Sequence, residues 1–174
     1  KKISNLLKEN ILLIGSGRTD AGVHAVEQSA HFDCKLKIIN LNRFIKSINY
    51  FLNQYDIAIL KIKKRKKNFH ARFSAKKRIY KYVIFNQISK PVIQKQRGWH
   101  IIKELNIKIM KKGAKMLIGT KDFSTFRASS CRAQSPIKTI SLAKIRSFKN
   151  KIEIEFRSES FLQKQVRSMV GCLK

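Results

Sequence analysis

The feature that most constrains the fold is a pair of strand-like segments near the C-terminal end of the chain. Residues 139–148 form the first, and residues 152–156 alternate apolar side chains with Glu153 and Glu155. Alternation with a period of two is typical of a half-buried β-strand. The intervening residues, Lys149–Lys151, are suited to a turn, so the pattern predicts an antiparallel hairpin within a sheet.

Helical periodicity flanks the strand-like segments. Residues 1–7 indicate the end of an amphipathic helix, and Ser160 with Gln163 forms a capping-box pattern that predicts a helix beginning near Phe161. Further strands are predicted over Asp56–Lys63 and Arg78–Phe85. Apolar residues recur at helical spacing in two more segments, Leu41, Phe44, Ile45, Ile48 and Leu52 in one and Leu105, Ile109, Gly113, Met116 and Leu117 in the other.

The order of helix, strand pair, helix and strand pair recurs along the chain. It predicts an α+β fold with a mixed, mainly antiparallel sheet, helices on one face, and a pseudo-repeat of two α/β subdomains. We place the subdomains at residues 1–75 and 76–174. Because the first and last helices run to the ends of the sequence, both subdomains are expected to be incomplete.

The net charge of the chain indicates which class of molecule it binds. Against 39 Lys and Arg there are only 10 Asp and Glu, giving a formal net charge of +29, which favours nucleic acid as a partner. Part of the lysine content also fits an AT-rich coding bias. The run Lys61–Lys67 suits either phosphate contact or a solvated edge strand. With no membrane-length apolar run and no signal-like start, we expect a cytoplasmic protein.

Cysteine and histidine spacing argues against a metal site or a disulfide framework. Neither residue type shows metal-ligand spacing, so no metal is expected. The thiols are expected to be reduced and buried. The residues concerned are Cys34, Cys131, Cys172, His24, His31, His70 and His100.

A glycine-rich segment, Gly15–Ala25, lies between two apolar runs and carries Arg18 and Asp20. It lacks the third glycine of a dinucleotide fingerprint and the Lys-Ser/Thr pair of a phosphate-binding P-loop. A loop of this kind at a strand end can present side chains for chemistry. A turn without chemistry explains the same glycines.

Four blocks along the chain together resemble the TruA-type tRNA pseudouridine synthases. They span nearly the whole sequence in the family's order, which makes the resemblance specific. The blocks are residues 17–24 with His31-Phe32, residues 68–75 with 78–82, residues 122–127 with Cys131 and Ser135-Pro136, and Phe161-Leu162 with Val166-Arg167 and Val170-Gly171. The family's opening strand is missing before Lys1, as are the segments that follow the last block.

The resemblance implies the pseudouridine synthase fold and an enzyme that isomerises uridine in the anticodon arm of tRNA, at positions 38–40. It implies no cofactor, no metal and a homodimer that binds tRNA. Asp20 matches the catalytic aspartate, acting either as nucleophile or as base, and an adjacent guanidinium, from Arg18 or Arg167, would favour its ionised form. The substrate-binding residues implied by the match are Arg18, Tyr80, Arg167 and Arg127, with Tyr80 as a stacking platform for the target base.

Several of these residues also fit purely structural roles. Tyr80 also fits a half-buried position on a strand, and Arg167 the surface of a terminal helix. The Asp20 loop and the block match favour the functional role for both. His24 and His31 are better interpreted as structural hydrogen-bonding residues than as general bases. The whole chain also fits a non-catalytic tRNA-binding or RNA-chaperone protein, while a ribosomal-type structural protein accounts for the charge alone.

Overall fold

The computed structural model describes all of residues 1–174 and groups them into two compact units. Unit 1 comprises residues 1–18 and 25–75, and unit 2 comprises residues 19–24 and 76–174. The segment around Asp20 therefore groups with unit 2, although its flanking residues belong to unit 1. The division of the chain into subdomains at residue 75 stays a prediction.

Unit 1 is built from two helices and a minimal sheet. Its elements are α1 (Lys2–Leu7), β1 (Ile14–Gly15), β2 (Ala30–His31) and α2 (Leu41–Leu52). The two short strands pair antiparallel. Asn40 caps α2, its side-chain oxygen accepting a hydrogen bond from the Arg43 backbone N–H at 2.9 Å. The helices predicted at both positions are confirmed.

The strand predicted over Asp56–Lys63 is wrong, because the structure has no strand there. The Asn49 side chain on α2 accepts from the Ile59 backbone N–H at 2.7 Å and donates to the Ile59 carbonyl at 3.0 Å. One amide side chain thus satisfies backbone groups that a neighbouring strand would otherwise satisfy. Unit 1 consequently lacks the longer strands that the N-terminal half was predicted to contain.

Unit 2 contains a five-stranded mixed sheet covered by two helices. The elements are β3 (Arg78–Asn86), β4 (Trp99–Ile101), α3 (Ile107–Met116), β5 (Gly119–Asp122), a 3-10 turn at Ser124–Phe126, β6 (Ile137–Phe148), β7 (Lys151–Ser158) and α4 (Gln165–Leu173). The strands lie in the order β4, β3, β7, β6, β5, with only β3 and β4 parallel. The α+β fold class with a mixed, mainly antiparallel sheet is confirmed.

The predicted hairpin is confirmed as β6 and β7, which pair antiparallel and are joined by a turn at residues 149–150. Ile152, Ile154 and Phe156 are buried, as the alternation predicts. They belong to one hydrophobic core together with Met110 of α3 and Met169 of α4. Both helices thus contribute to the core that the buried face of β7 forms.

Two further expectations need correction. The last helix begins at Gln165 rather than near Phe161. Lys164 adopts a left-handed backbone with φ of 62°, which interrupts the helix on its N-terminal side. Ser160 does not cap the helix, which has no side-chain cap, and its backbone N–H and carbonyl both hydrogen-bond with the Ser158 hydroxyl. Cys172 is exposed, so the expectation of a buried thiol is wrong there.

Candidate active site

Asp20 begins a tight turn in the short segment Thr19–His24. The Val23 backbone N–H donates to the Asp20 carbonyl at 3.2 Å, and Gly22 at the third position has φ of +80°. A turn of this shape requires a positive φ at that position, which glycine adopts without steric cost. The glycine in the sequence motif therefore determines the backbone direction at Asp20.

The structure brings Asp20 and Arg167 together although 147 residues separate them in the sequence. Arg167 Nη1 lies 3.3 Å from Asp20 Oδ2, and the side chains are 62% and 33% exposed, respectively. The carboxylate is thus accessible from solvent while a guanidinium lies beside one of its oxygens. This arrangement allows a substrate to approach the carboxylate.

A half-solvated pair of this kind does not hold its own geometry. Exposed ion pairs contribute only about 0.2–1 kcal/mol. Ordering an arginine side chain costs about 1.5–2 kcal/mol in rotamer freedom. The position of the Arg167 guanidinium must therefore depend on the backbone from which it extends, the first turn of α4.

Tyr80 lies on β3 directly opposite Phe156 of β7. Its ring packs edge to face against Phe161, with centroids 5.2 Å apart and planes at 88°. Phe161 comes only six residues before Arg167 in the sequence. Tyr80 thus contacts the segment that leads into α4, and a single edge-to-face contact leaves a face of its ring unused by the aromatic partner.

Arg127 contacts a loop in unit 2. Its Nη2 donates to the Cys131 carbonyl at 3.5 Å, and the neighbouring Ala128 backbone N–H donates to the Gln163 carbonyl at 3.0 Å. Hydrogen bonds from the Ala133 and Gln163 backbones, aided by the Arg127 charge, lower the pKa of the Cys131 thiol. Arg127 therefore braces a loop that contacts the segment before α4.

Arg18 is the remaining predicted site residue, and His24 and His31 are the two histidines that the sequence assigns to structural roles. Arg18 is exposed and belongs to unit 1, and its role stays a prediction. His24 is exposed. His31 Nδ1 accepts a hydrogen bond from the Ala71 backbone N–H at 3.1 Å, as expected of a structural histidine.

A basic depression lies in unit 1 beside the lysine-rich run. Its volume is about 580 Å³, and the Arg65 guanidinium lies 5.5 Å from the Phe69 ring centroid. The run itself is not an edge strand, because residues 61–67 form no sheet. Cations and an aromatic ring together suit contact with a nucleic acid. The depression is lined by Lys64, Arg65, Lys66, Asn68, Phe69 and Ser74.

Sequence reasoning missed Gln165, which is fully buried in the first turn of α4. Its side-chain Oε1 accepts from the Leu162 backbone N–H at 2.8 Å. A signal exists in the sequence, because Gln165 shares its helical face with the apolar Met169, four residues on. A buried polar side chain on such a face requires a hydrogen-bond partner.

The chain contains no group of three or more His, Cys, Asp or Glu arranged to hold a metal ion. Likewise, none of the helices has the length and apolar character that crossing a membrane requires.

Comparison with known proteins identifies the class. Residues 114–174 match the family profile described as tRNA pseudouridine synthase. The mixed sheet with its covering helices is consistent with the fold of the pseudouridine synthases, which are isomerases.

Two curated relatives extend the match to nearly the whole chain. Over 173 residues the chain is 66% identical to tRNA pseudouridine synthase A of Pelagibacter ubique (strain HTCC1062), covering 99% of this chain and 70% of that relative. Over 172 residues it is 40% identical to tRNA pseudouridine synthase A of Anaplasma phagocytophilum (strain HZ), covering 98% and 69%. The chain belongs to the tRNA pseudouridine synthase family, which confirms the resemblance found from its four sequence blocks.

Proposed function

We propose that this chain isomerises uridine to pseudouridine in the anticodon arm of tRNA, at positions 38–40, with Asp20 as the catalytic carboxylate. The observation that carries the proposal is the Asp20 side chain, which extends from a glycine-dependent turn and pairs through one oxygen with Arg167. Both relatives are tRNA pseudouridine synthases, which supports tRNA as the substrate class. The four sequence blocks support the anticodon arm.

The reaction breaks the bond between uracil N1 and ribose C1′ and forms a bond between C5 and C1′. The C5 proton leaves to solvent and N1 is protonated, so the product is an isomer of the substrate. An ionised carboxylate serves this chemistry either as a nucleophile at C1′ or as a base toward the sugar. The accessible carboxylate of Asp20 suits either role, and the Arg167 guanidinium lies 3.3 Å from one of its oxygens, which leaves the other oxygen open to substrate.

The target uridine must leave the base stack before it reaches a carboxylate. An aromatic platform offsets part of the unstacking cost, and we assign this role to Tyr80, whose ring packs against Phe161. Arg18 and Arg127 are proposed to contact the RNA backbone, because arginine recognises phosphate through a planar fork of donors.

The net charge of +29 suits a protein that binds a folded RNA through its phosphates. Phosphate contacts position an RNA without reading its sequence, so discrimination among tRNAs would rest on shape. We extend the proposal to a homodimer acting in the cytoplasm. The family resemblance supports the dimer, and a tRNA substrate supports the location.

The test is tritium release from tRNA labelled at uridine C5, comparing the unmodified chain with Asp20→Asn. We expect release to fall by at least about 100-fold in the variant, because a neutral amide cannot act as nucleophile or base. Asp56→Asn, a change at an exposed aspartate in unit 1, is the matched control and should retain full activity. Equal release by the unmodified chain and Asp20→Asn would overturn the assignment. Binding of tRNA without release would support the non-catalytic alternative.

A further inference from the structure

Gln165 is one of only two buried polar residues in the chain, the other being Ser158. Its side chain is wholly inaccessible to solvent, and the residue begins α4. Burying an amide is unfavourable unless its polar atoms are satisfied. The partners of the Gln165 amide therefore indicate what the residue does.

The Gln165 amide contacts one residue just before the helix and another one turn along it. The Leu162 backbone N–H donates to Gln165 Oε1 at 2.8 Å, and the Gln165 backbone N–H donates to the Leu162 carbonyl at 3.2 Å. On the other side, Gln165 Nε2 lies 4.0 Å from Met169 Sδ, one turn further along the helix. The reciprocal pair resembles a capping box moved two residues beyond the one that the sequence pattern predicts.

This anchor matters because α4 has no regular helix before it. Lys164 has a left-handed backbone, and no side chain caps the helix at that position. The first turn is thus held from its N-terminal side by the Gln165 pair and by contacts at Gln163, which include hydrogen bonds from the Ala128 backbone N–H and the Ser130 hydroxyl. Of these, only the Gln165 contact comes from a side chain of the helix itself.

Arg167 lies two residues after Gln165, which is about 200° around the helix axis. Since Gln165 points into the core, Arg167 consequently points outward, toward Asp20. The observed exposures agree, because Gln165 is 0% exposed and the Arg167 side chain 62%. A rotation of the first turn would carry the Arg167 guanidinium away from the carboxylate.

We propose that Gln165 is a positioning residue of the isomerisation, which sets the rotation of the first turn of α4 and so places Arg167 beside Asp20. This proposal rests on the proposed function. Gln165 touches no reacting atom and acts only through Arg167.

The first test replaces the amide with an apolar side chain of similar length, Gln165→Met. We expect kcat for tritium release to fall by about 10- to 100-fold, because misplacing a catalytic group by about 1 Å has effects of that size. KM for tRNA should stay unchanged. Gln94→Met, the same change at an exposed glutamine of unit 2 outside α4, is the matched control and should keep its kcat. A loss of thermal stability with kcat unchanged below the transition would overturn the proposal.

A double-mutant cycle with Arg167→Met separates positioning from general damage. If Gln165 acts through Arg167, then adding Gln165→Met to Arg167→Met should leave kcat where the single Arg167 variant has it. Multiplied losses in the double variant would overturn the proposal. Failure of the proposed function has a different signature, namely no release by the unmodified chain or full release by Asp20→Asn.

Discussion

The two units of the chain differ in how much core they possess. Unit 2 contains a cluster of sixteen buried hydrophobic residues, whereas the cluster of unit 1 has three, Leu7, Phe44 and Ile48. Unit 2 also contains the five-stranded sheet, while the sheet of unit 1 has two strands of two residues each. Four ion pairs lie within unit 2, the pair of Asp20 with Arg167 among them.

The difference in core size affects where side chains can be positioned precisely. The Asp20 and Arg167 pair and the contact of Tyr80 with Phe161 lie in unit 2, on or beside elements that a dense core holds in place. The basic run and its depression lie in unit 1, where contacts with a polyanion need charge more than precise placement. The proposed chemistry and the proposed electrostatic attraction thus lie in regions with different packing.

The largest expected effect is the loss of stability when one core phenylalanine is truncated in each unit. Phe156 is 0% exposed and Phe44 8%. Phe156→Ala should lower the free energy of unfolding of unit 2 by about 3–5 kcal/mol. Phe44→Ala should cost unit 1 less, about 3 kcal/mol at most, because a thin core relaxes around a cavity more easily. Hydrogen exchange followed by mass spectrometry measures the units separately. Equal losses would contradict the contrast between the cores.

Each unit also uses one asparagine to fix an irregular segment. Asn86 makes three hydrogen bonds with residues 101–105, and Asn49 makes two with Ile59. We expect Asn86→Ala to cost about 2–3 kcal/mol and Asn49→Ala about 1–2 kcal/mol, in proportion to the bonds lost. Chemical denaturation measures both, with Asn10→Ala at an exposed site as the control. A larger cost at Asn49 would show that unit 1 depends on side-chain bonds more than unit 2.

Two glycines of unit 2 adopt a positive φ, but only one of them lies in the turn that carries Asp20. Comparing them tests whether that turn matters for catalysis. Gly22 has φ of +80° and Gly119 φ of +104°, and neither would place an added Cβ within 4 Å of another atom. Alanine at either should cost about 1–2 kcal/mol in backbone strain alone. Only Gly22→Ala should also lower kcat for tritium release, because its turn directs Asp20. An unchanged kcat in Gly22→Ala would separate the turn from the chemistry.

The weakest effect concerns acid stability. The Glu153 carboxylate lies 2.6 Å from Lys151 and 3.6 Å from Lys81, and the hydrogen bond from Lys151 lowers the pKa of Glu153 below its ordinary value. A lowered folded-state pKa contributes stability above the unfolded pKa, and this contribution is lost as pH falls through the folded one. With both lysines substantially solvated, it should be below about 1 kcal/mol.

The check is thermal unfolding of Glu153→Gln from neutral pH into acid. The variant should be slightly less stable at neutral pH and should converge with the unmodified chain as the pH falls. If the two stabilities instead diverged as the pH falls, the surroundings of Glu153 would raise its pKa rather than lower it.

Local patterns account for many of the elements in both units. The alternation at 152–156 predicts β7, and the helical spacing at 41–52 predicts α2 equally well. The strand expected at 56–63 fails because Asn49, from a different element, satisfies the Ile59 backbone. The last helix is misplaced because the left-handed Lys164 is a backbone state that no short-range pattern signals.

The residues of the candidate site likewise include some that the sequence indicates and one that only the structure reveals. Sequence blocks point to Asp20, Tyr80 and Arg167 through resemblance, and the glycine at 22 indicates a turn. They do not indicate Gln165, whose importance emerges only when its burial and its bond to Leu162 are seen together.

Periodicity, charge, the Gly22 turn and family membership can thus be read from the order of the amino acids, because each depends on residues close along the chain or on ordered blocks. The meeting of Asp20 with Arg167 across 147 residues, and the burial of Gln165 in the first turn of α4, are visible only in the folded molecule. The physical reason is that contacts between distant residues depend on the packing of whole elements, which no local pattern encodes.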